Sequence, residues 1–84
     1  MYKEGLEKIV KKFYPDILLE ELYQDIPIVT ILSLDSLSFV KFIIEIEQYF
    51  DSTFLSADIF DINITFGGIL EIMERDFSND SVNS

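Results

Sequence analysis

Residues 34–51 read Leu34-Asp35-Ser36-Leu37-Ser38-Phe39-Val40-Lys41-Phe42-Ile43-Ile44-Glu45-Ile46-Glu47-Gln48-Tyr49-Phe50-Asp51. At about 100° per residue, Phe39, Phe42, Ile43, Ile46 and Phe50 fall within a narrow arc, the pattern of a helix that buries one stripe. Asp35 and Ser36 stand where an N-cap belongs, because a short polar side chain there accepts a bond from a free first-turn amide. Taken alone, the Asp-Ser-Leu triplet implies no more than that cap. With no convincing pair of strands elsewhere in the chain, the helix points to an all-α domain.

The opposite face of the same helix carries Leu37, Val40 and Ile44, mixed with Lys41, Glu47 and Gln48. These apolar positions lie roughly 100–180° from the buried stripe. A small domain has one core, so both faces cannot be buried. Apolar side chains beside a serine at a helix mouth, on a face that also carries charge, suggest a surface against which partners dock.

Leu34-Asp35-Ser36-Leu37, Val40, and the run Glu45-x-Glu47-Gln48-Tyr49-Phe50-Asp51 resemble the acyl carrier protein family, whose attachment serine lies in a Gly-x-Asp-Ser-Leu context at the start of its second helix. Upstream, Asp25-Ile26-Pro27-Ile28 through Ile31-Leu32 resembles the family's long loop into the motif. Downstream, Ile64-Thr65-Phe66-Gly67 resembles the Thr-Val-Gly start of its last helix. The resemblance covers roughly residues 3–77, by order and spacing more than by identity. It implies a four-helix acyl-carrier-like bundle with a long first loop and a short third helix. With the short polar run at 78–84 read as a flexible tail, the chain divides into a carrier domain at 1–77 and a tail at 78–84.

The function implied is that of a carrier without catalytic residues of its own. Ser36 would bear a phosphopantetheine arm through a phosphodiester, and the arm's thiol would hold acyl groups as thioesters. By the same resemblance, Asp35 would place the divalent metal in the complex with a phosphopantetheinyl transferase. Leu37, Val40 and Ile44 would supply apolar docking contacts, Glu47 an acidic one, with Lys41 and Gln48 in the same strip. Successive acyl-loading and acyl-processing enzymes with basic or apolar docking sites would be the partners.

The residue inventory agrees with borrowed chemistry. With neither histidine nor cysteine, the chain lacks the usual general base, thiol nucleophile, disulfide frame and nitrogen or sulfur metal ligands. Gly67-Gly68 is followed by no Lys-Ser/Thr, so no phosphate-cradling loop is present, and Asp51-Ser52-Thr53 lacks the spacing of a calcium loop. A carrier needs none of these, because its reactive sulfur belongs to the cofactor. An anion on Ser36 would lie near the positive end of the helix dipole.

Eighty-four residues make one domain, and 49% hydrophobic content suffices for a single core. The formal net charge is −10, and its distribution is uneven. Lys3, Lys8, Lys11 and Lys12 hold four of the six positive side chains; from Phe13 onward two basic residues face fourteen acidic ones, a net −12. Such a body repels nucleic-acid phosphates and accelerates association with basic surfaces. No apolar run approaches the ~18 residues of a membrane span, and Met1-Tyr2-Lys3-Glu4-Gly5-Leu6 shows no secretory core. A cytoplasmic, unprocessed, monomeric protein is expected.

Along the chain, Leu6, Ile9, Val10 and Phe13 mark one helical face, which Tyr14-Pro15 ends. From Asp16 to Leu34 the expectation is an extended loop pinned to the core by Ile26, Ile28, Ile31 and Leu32, with a short turn near residues 17–23; the β-prone run Ile28-Val29-Thr30-Ile31-Leu32 makes a strand the competing assignment. Ser56 is expected to cap a short helix through Asp61. Thr65 is expected to cap a last helix with Phe66, Ile69, Leu70 and Met73 on one face. Leu6, Ile9, Phe42, Ile46, Phe50, Phe66 and Ile69 should be buried together.

Three departures from the family pattern matter. Ser33 replaces the glycine before the motif, and Lys41 and Ser38 stand where acidic residues are common, which favours a dedicated pathway over general fatty-acid synthesis. A peptidyl or D-alanyl carrier shares the scaffold and serine. A degenerate carrier acting as a helical adaptor through the second helix is a further alternative, against which the intact Asp35-Ser36-Leu37 argues.

Overall fold

The computed structural model describes residues 2–82, with side chains described as far as Phe77. The described residues form an all-α fold: α1 (Tyr2–Phe13), α2 (Leu19–Leu22), α3 (Ile28–Leu32), α4 (Ser36–Phe50), a 3₁₀ turn (Ala57–Phe60) and α5 (Phe66–Val82). Three long helices thus enclose the core, and three short turns lie in the connections. The backbone of α5 runs past Ser78, where the sequence reading begins a polar tail; Asn83 and Ser84 lie outside the described residues.

α1 buries Leu6, Ile9 and Val10 and stops at Phe13, just ahead of Tyr14-Pro15, as the proline demands. Lys11 holds the exit: its Nζ donates to the carbonyls of Pro15 at 2.9 Å and Ile17 at 3.0 Å. Phe13, expected on the buried face, is exposed instead, since it is the last residue of the helix and the chain turns away there before the core can cover its ring. Tyr23, after α2, donates its hydroxyl to Glu7 and sets its ring against Phe66 with centroids 5.2 Å apart.

The stretch Ile28–Leu32 departs from both sequence expectations, for it is a one-turn helix and neither loop nor strand. Its physical origin lies at its two ends. Pro27, at φ −55, stands just ahead of the first turn, where its missing N–H costs nothing, and its carbonyl accepts from Thr30 (3.0 Å) and Ile31 (3.2 Å). At the other end Ser33 turns left-handed (φ 57, ψ 48), and the Leu34 amide reaches back to the Val29 carbonyl at 2.9 Å. Burial of Ile28 and Leu32 outweighs the weak β preference of the run. The Ile28 amide instead donates to the Ile64 carbonyl at 2.9 Å, beside an isolated antiparallel bridge between Pro27 and Thr65.

Ser33 therefore makes the turn that glycine makes without steric cost, and left-handed backbone is unfavourable for a residue with a Cβ. Ser33→Gly should relieve that strain while loosening the unfolded chain, for a net gain of about 0.5 kcal/mol. A rise in the urea midpoint at unchanged slope would register it; a fall would mean that the serine side chain stabilises the turn.

Phe39, Phe42, Ile43 and Ile46 of α4 are buried, meeting Phe66, Ile69, Ile72, Met73 and Phe77 of α5 in one core. Phe50, expected among the fully buried residues, is only partly so. As the last residue of α4 it sits at the rim, in an aromatic group with Tyr2 (5.6 Å between centroids), Tyr49 (4.9 Å) and Phe77 (5.8 Å). A Cβ added to Gly5 of α1 would stand 2.5 Å from the end of the Phe50 ring, so the absence of a side chain there lets that ring lie against α1. α4 closes on Asp51 in left-handed conformation (φ 51), with the Asp51 amide bonded to the Gln48 carbonyl (3.3 Å) and the Ser52 amide to that of Glu47 (3.1 Å).

Thr65 caps α5 as expected, its Oγ1 accepting from the Gly68 amide at 3.0 Å. Ser56 does not act as a side-chain cap for the turn that follows it. Its hydroxyl is drawn to Asp76 of α5, whose carboxylate is 2% exposed and accepts from the amides of Leu55 (2.8 Å) and Ser56 (3.0 Å), the Ser56 hydroxyl (3.3 Å) and Arg75 Nε (3.4 Å). Arg75 Nη2 completes the group on Ser56 Oγ at 2.6 Å. One buried carboxylate thus holds the α4–α5 connection to α5.

Candidate functional site

The site is built on the first turn of α4. Asp35, in extended conformation (φ −84, ψ −179), is the N-cap, and its Oδ1 accepts from the Ser38 amide at 2.8 Å. Its backbone carbonyl accepts from the Phe39 amide at 2.9 Å, so the helix begins with both bonds of a capped start in place. Bonding to Ser38, first through its amide and then its hydroxyl, with Lys41 contributing, holds the Asp35 carboxyl below the usual aspartate range. The carboxylate is therefore charged across the neutral range.

Ser36 is the first residue inside the helix and is exposed. Because the cap is Asp35, the Ser36 side chain has no role in starting the helix. At this position a backbone amide has no intrahelical acceptor, and the dipole presents its positive end. A hydroxyl esterified to an anionic group fits here on three counts: solvent access, unpaired first-turn amides and a favourable field.

The second face of α4 emerges as the sequence reading expected. Leu37 is 64% exposed, Ile44 44% and Val40 38%, and Lys41 and Gln48 are exposed with them. Leu37, Lys41, Ile44 and Gln48 follow one another at helical spacing along a strip that starts beside Ser36. Glu47 stands apart from this strip. It is half-buried, and its Oε2 accepts from the Phe54 amide at 2.8 Å, which commits the side chain to bracing the connection after α4.

No sequence signal near Ser36 pointed to the carboxylate that ties the connection after α4 to α5. Asp76 falls on the buried stripe of α5, three residues after Met73 and seven after Ile69, and an acid in such a register is the available hint of a buried, satisfied carboxylate. Leu55, Phe60 and Ile62 on the α4–α5 connection are large, apolar and exposed, and periodicity could not mark them outside a long helix. Among the described residues no group of three or more acidic side chains could hold a metal ion, so Asp35 would contribute to a cation site only with ligands from another molecule. None of the described helices is long and apolar enough to cross a membrane. No protein-family model matches the chain, and no curated protein or solved structure matches it either.

Proposed function

We propose that the chain is a carrier protein that bears a phosphopantetheine arm on Ser36 and presents acyl groups, as thioesters on that arm, to partner enzymes of a dedicated biosynthetic pathway. The observation that carries this reading is an exposed serine on the first turn of a 15-residue helix whose cap is the neighbouring Asp35, with the exposed apolar strip of Leu37, Val40 and Ile44 alongside. The arm supplies the thiol chemistry when bound. The chain's residues do the rest: Ser36 offers the nucleophilic oxygen, the ionised Asp35 offers a ligand to a divalent cation held by the transferase, and the α4 strip gives partners a small surface to grip and release. In this reading α1, α4, the 3₁₀ turn and α5 correspond to the four helices of an acyl-carrier-like bundle.

The mass of the intact protein recovered from its native cells tests the proposal directly. A single phosphopantetheine, located by fragmentation to Ser36, is the expected result. Recovery of wholly unmodified chain from growing cells would favour an adaptor that binds through α4 and carries no arm.

Docking through the strip has its own test. Ile44→Ala should lower affinity for transferase and processing enzymes several-fold, by about 1 kcal/mol of lost apolar contact, while leaving the melting temperature almost unchanged because Ile44 is exposed. Unchanged affinity for every partner would remove Ile44 from the docking surface.

A further inference from the structure

The furrow between α1 and α4 runs counter to the rest of the molecule in charge. Two adjoining depressions, of about 340 and 230 Å³, share Phe13 and Glu45 in their walls and follow α4 from Ser38 to Tyr49, a length of about 16 Å at the helical rise. Lys8, Lys12 and Lys41 line them, against Glu45 as the one acid in the walls. Three of the chain's six basic side chains therefore meet along one furrow, on a protein of net charge −10. Of the others, Lys11 is engaged with the carbonyls of Pro15 and Ile17, Arg75 with Ser56 and Asp76, and Lys3 lies over the Tyr23 ring.

The floor and rim are apolar and aromatic. Phe13 and Tyr49 are both about half exposed, and Lys12 Nζ lies 5.3 Å from the centroid of the Phe13 ring, so a cation is held over an open aromatic face. Exposed aromatics flanked by lysines suit a ligand that brings both an apolar anchor and negative charge. The furrow's length matches about three turns of a docked helix or five residues of extended chain. A second copy of this chain fits poorly, since bringing two bodies of charge −10 together is repulsive.

From this complementarity we infer that the α1–α4 furrow is a docking site for an acidic peptide segment of a partner protein, anchored by an aromatic or large aliphatic side chain on Phe13 and Tyr49 and paired through its carboxylates with Lys8, Lys12 and Lys41. This surface adjoins the first turn of α4 at Ser38 and shares Lys41 and Gln48 with the exposed α4 strip, but binding there requires no modification of Ser36. It gives an otherwise acidic protein a second class of partner, with charge opposite to the one its overall field attracts.

Selection of random peptides displayed on phage against the immobilised, unmodified chain tests the inference. Enriched peptides should be net acidic with a recurrent aromatic or aliphatic residue, should shift the backbone amide resonances of Phe13, Glu45 and Tyr49, and should bind at least tenfold more weakly to Lys8→Glu/Lys12→Glu. Their affinity should also fall with added salt. Enrichment of basic peptides, resonance shifts confined to α5, binding indifferent to the charge reversal, or no enrichment at all would overturn it. So would binding of anionic phosphatidylglycerol vesicles through the same lysines when no acidic peptide binds, or self-association in sedimentation that the double reversal abolishes.

Discussion

Ser36→Ala is expected to abolish cofactor attachment completely. With coenzyme A, magnesium and a broad-specificity phosphopantetheinyl transferase, the wild-type chain should gain one phosphopantetheine by intact mass, and the variant none. The loss should be clean because the substitution leaves the helix start alone: the cap is the Asp35 carboxylate on the Ser38 amide, and Ser36 is exposed. Stability should change by no more than about 0.5 kcal/mol, as surface replacements do. Ser38 provides an internal control, since a second serine lies one short step along the same turn. Label persisting on the variant would move the attachment point to such a neighbour, and absence of label on wild type with every transferase tried would leave the adaptor as the better account.

Asp76→Ala should be among the more damaging single changes to the fold, costing about 3 kcal/mol. The carboxylate is buried and receives two backbone amides, a hydroxyl and a guanidinium Nε; its removal leaves a hole beside the core and takes the acceptor from the part-buried Leu55 and Ser56 amides, each at up to the roughly 1–3 kcal/mol of an unsatisfied donor. For a domain of this size that is a large fraction of the total, which is on the order of 5–10 kcal/mol. A pH signature separates this from ordinary loss of packing. Burial pushes the Asp76 carboxyl up, but the Leu55 and Ser56 amides, with Arg75, outweigh it, and the net shift is below the ordinary value of 3.8. A carboxyl whose folded value is depressed contributes stability that is present above the unfolded value and lost as pH falls through the folded one. Wild type should therefore lose stability more steeply than Asp76→Ala below about pH 4, and urea midpoints measured from pH 7 down to pH 3 should converge. Parallel curves over that range would show that the charge of Asp76 is not what holds the connection.

The long helices were legible because their signals are local and periodic: Phe39, Phe42, Ile43 and Ile46 in α4, Leu6, Ile9 and Val10 in α1, and Phe66, Ile69 and Met73 after the Thr65 cap in α5. The exposed second face of α4 was legible for the same reason, since one core cannot bury two opposite stripes. What the residues did not reveal depends on partners distant in sequence. Ile28–Leu32 has strand-like composition, and its helical turn follows from its two ends and from burial of Ile28 and Leu32. Ser56 has the chemistry of a cap, but an aspartate twenty residues later claims its hydroxyl. Phe13 and Phe50 continue apolar periodicities that the helices carry to their ends, where too little lies opposite to cover them fully. Glu47 looks like a solvent-facing acid until the chain returns and offers it the Phe54 amide.

The bond from the Ile28 amide to the Ile64 carbonyl closes a long detour, because residues 29–63, with all of α4 and the proposed attachment serine, lie between its two ends. Gathering those ends has an entropic cost that neither a single helix nor its cap can offset, so the closure depends on the core shared by α1, α4 and α5. Proton exchange at this one amide then reports on whether the whole intervening stretch is clasped, whatever fraying occurs at the helix ends. For a protein proposed to be gripped and released repeatedly along α4, it is a spectator amide, buried and outside the docking strip, from which to learn whether partners merely visit the surface or pull the clasp apart.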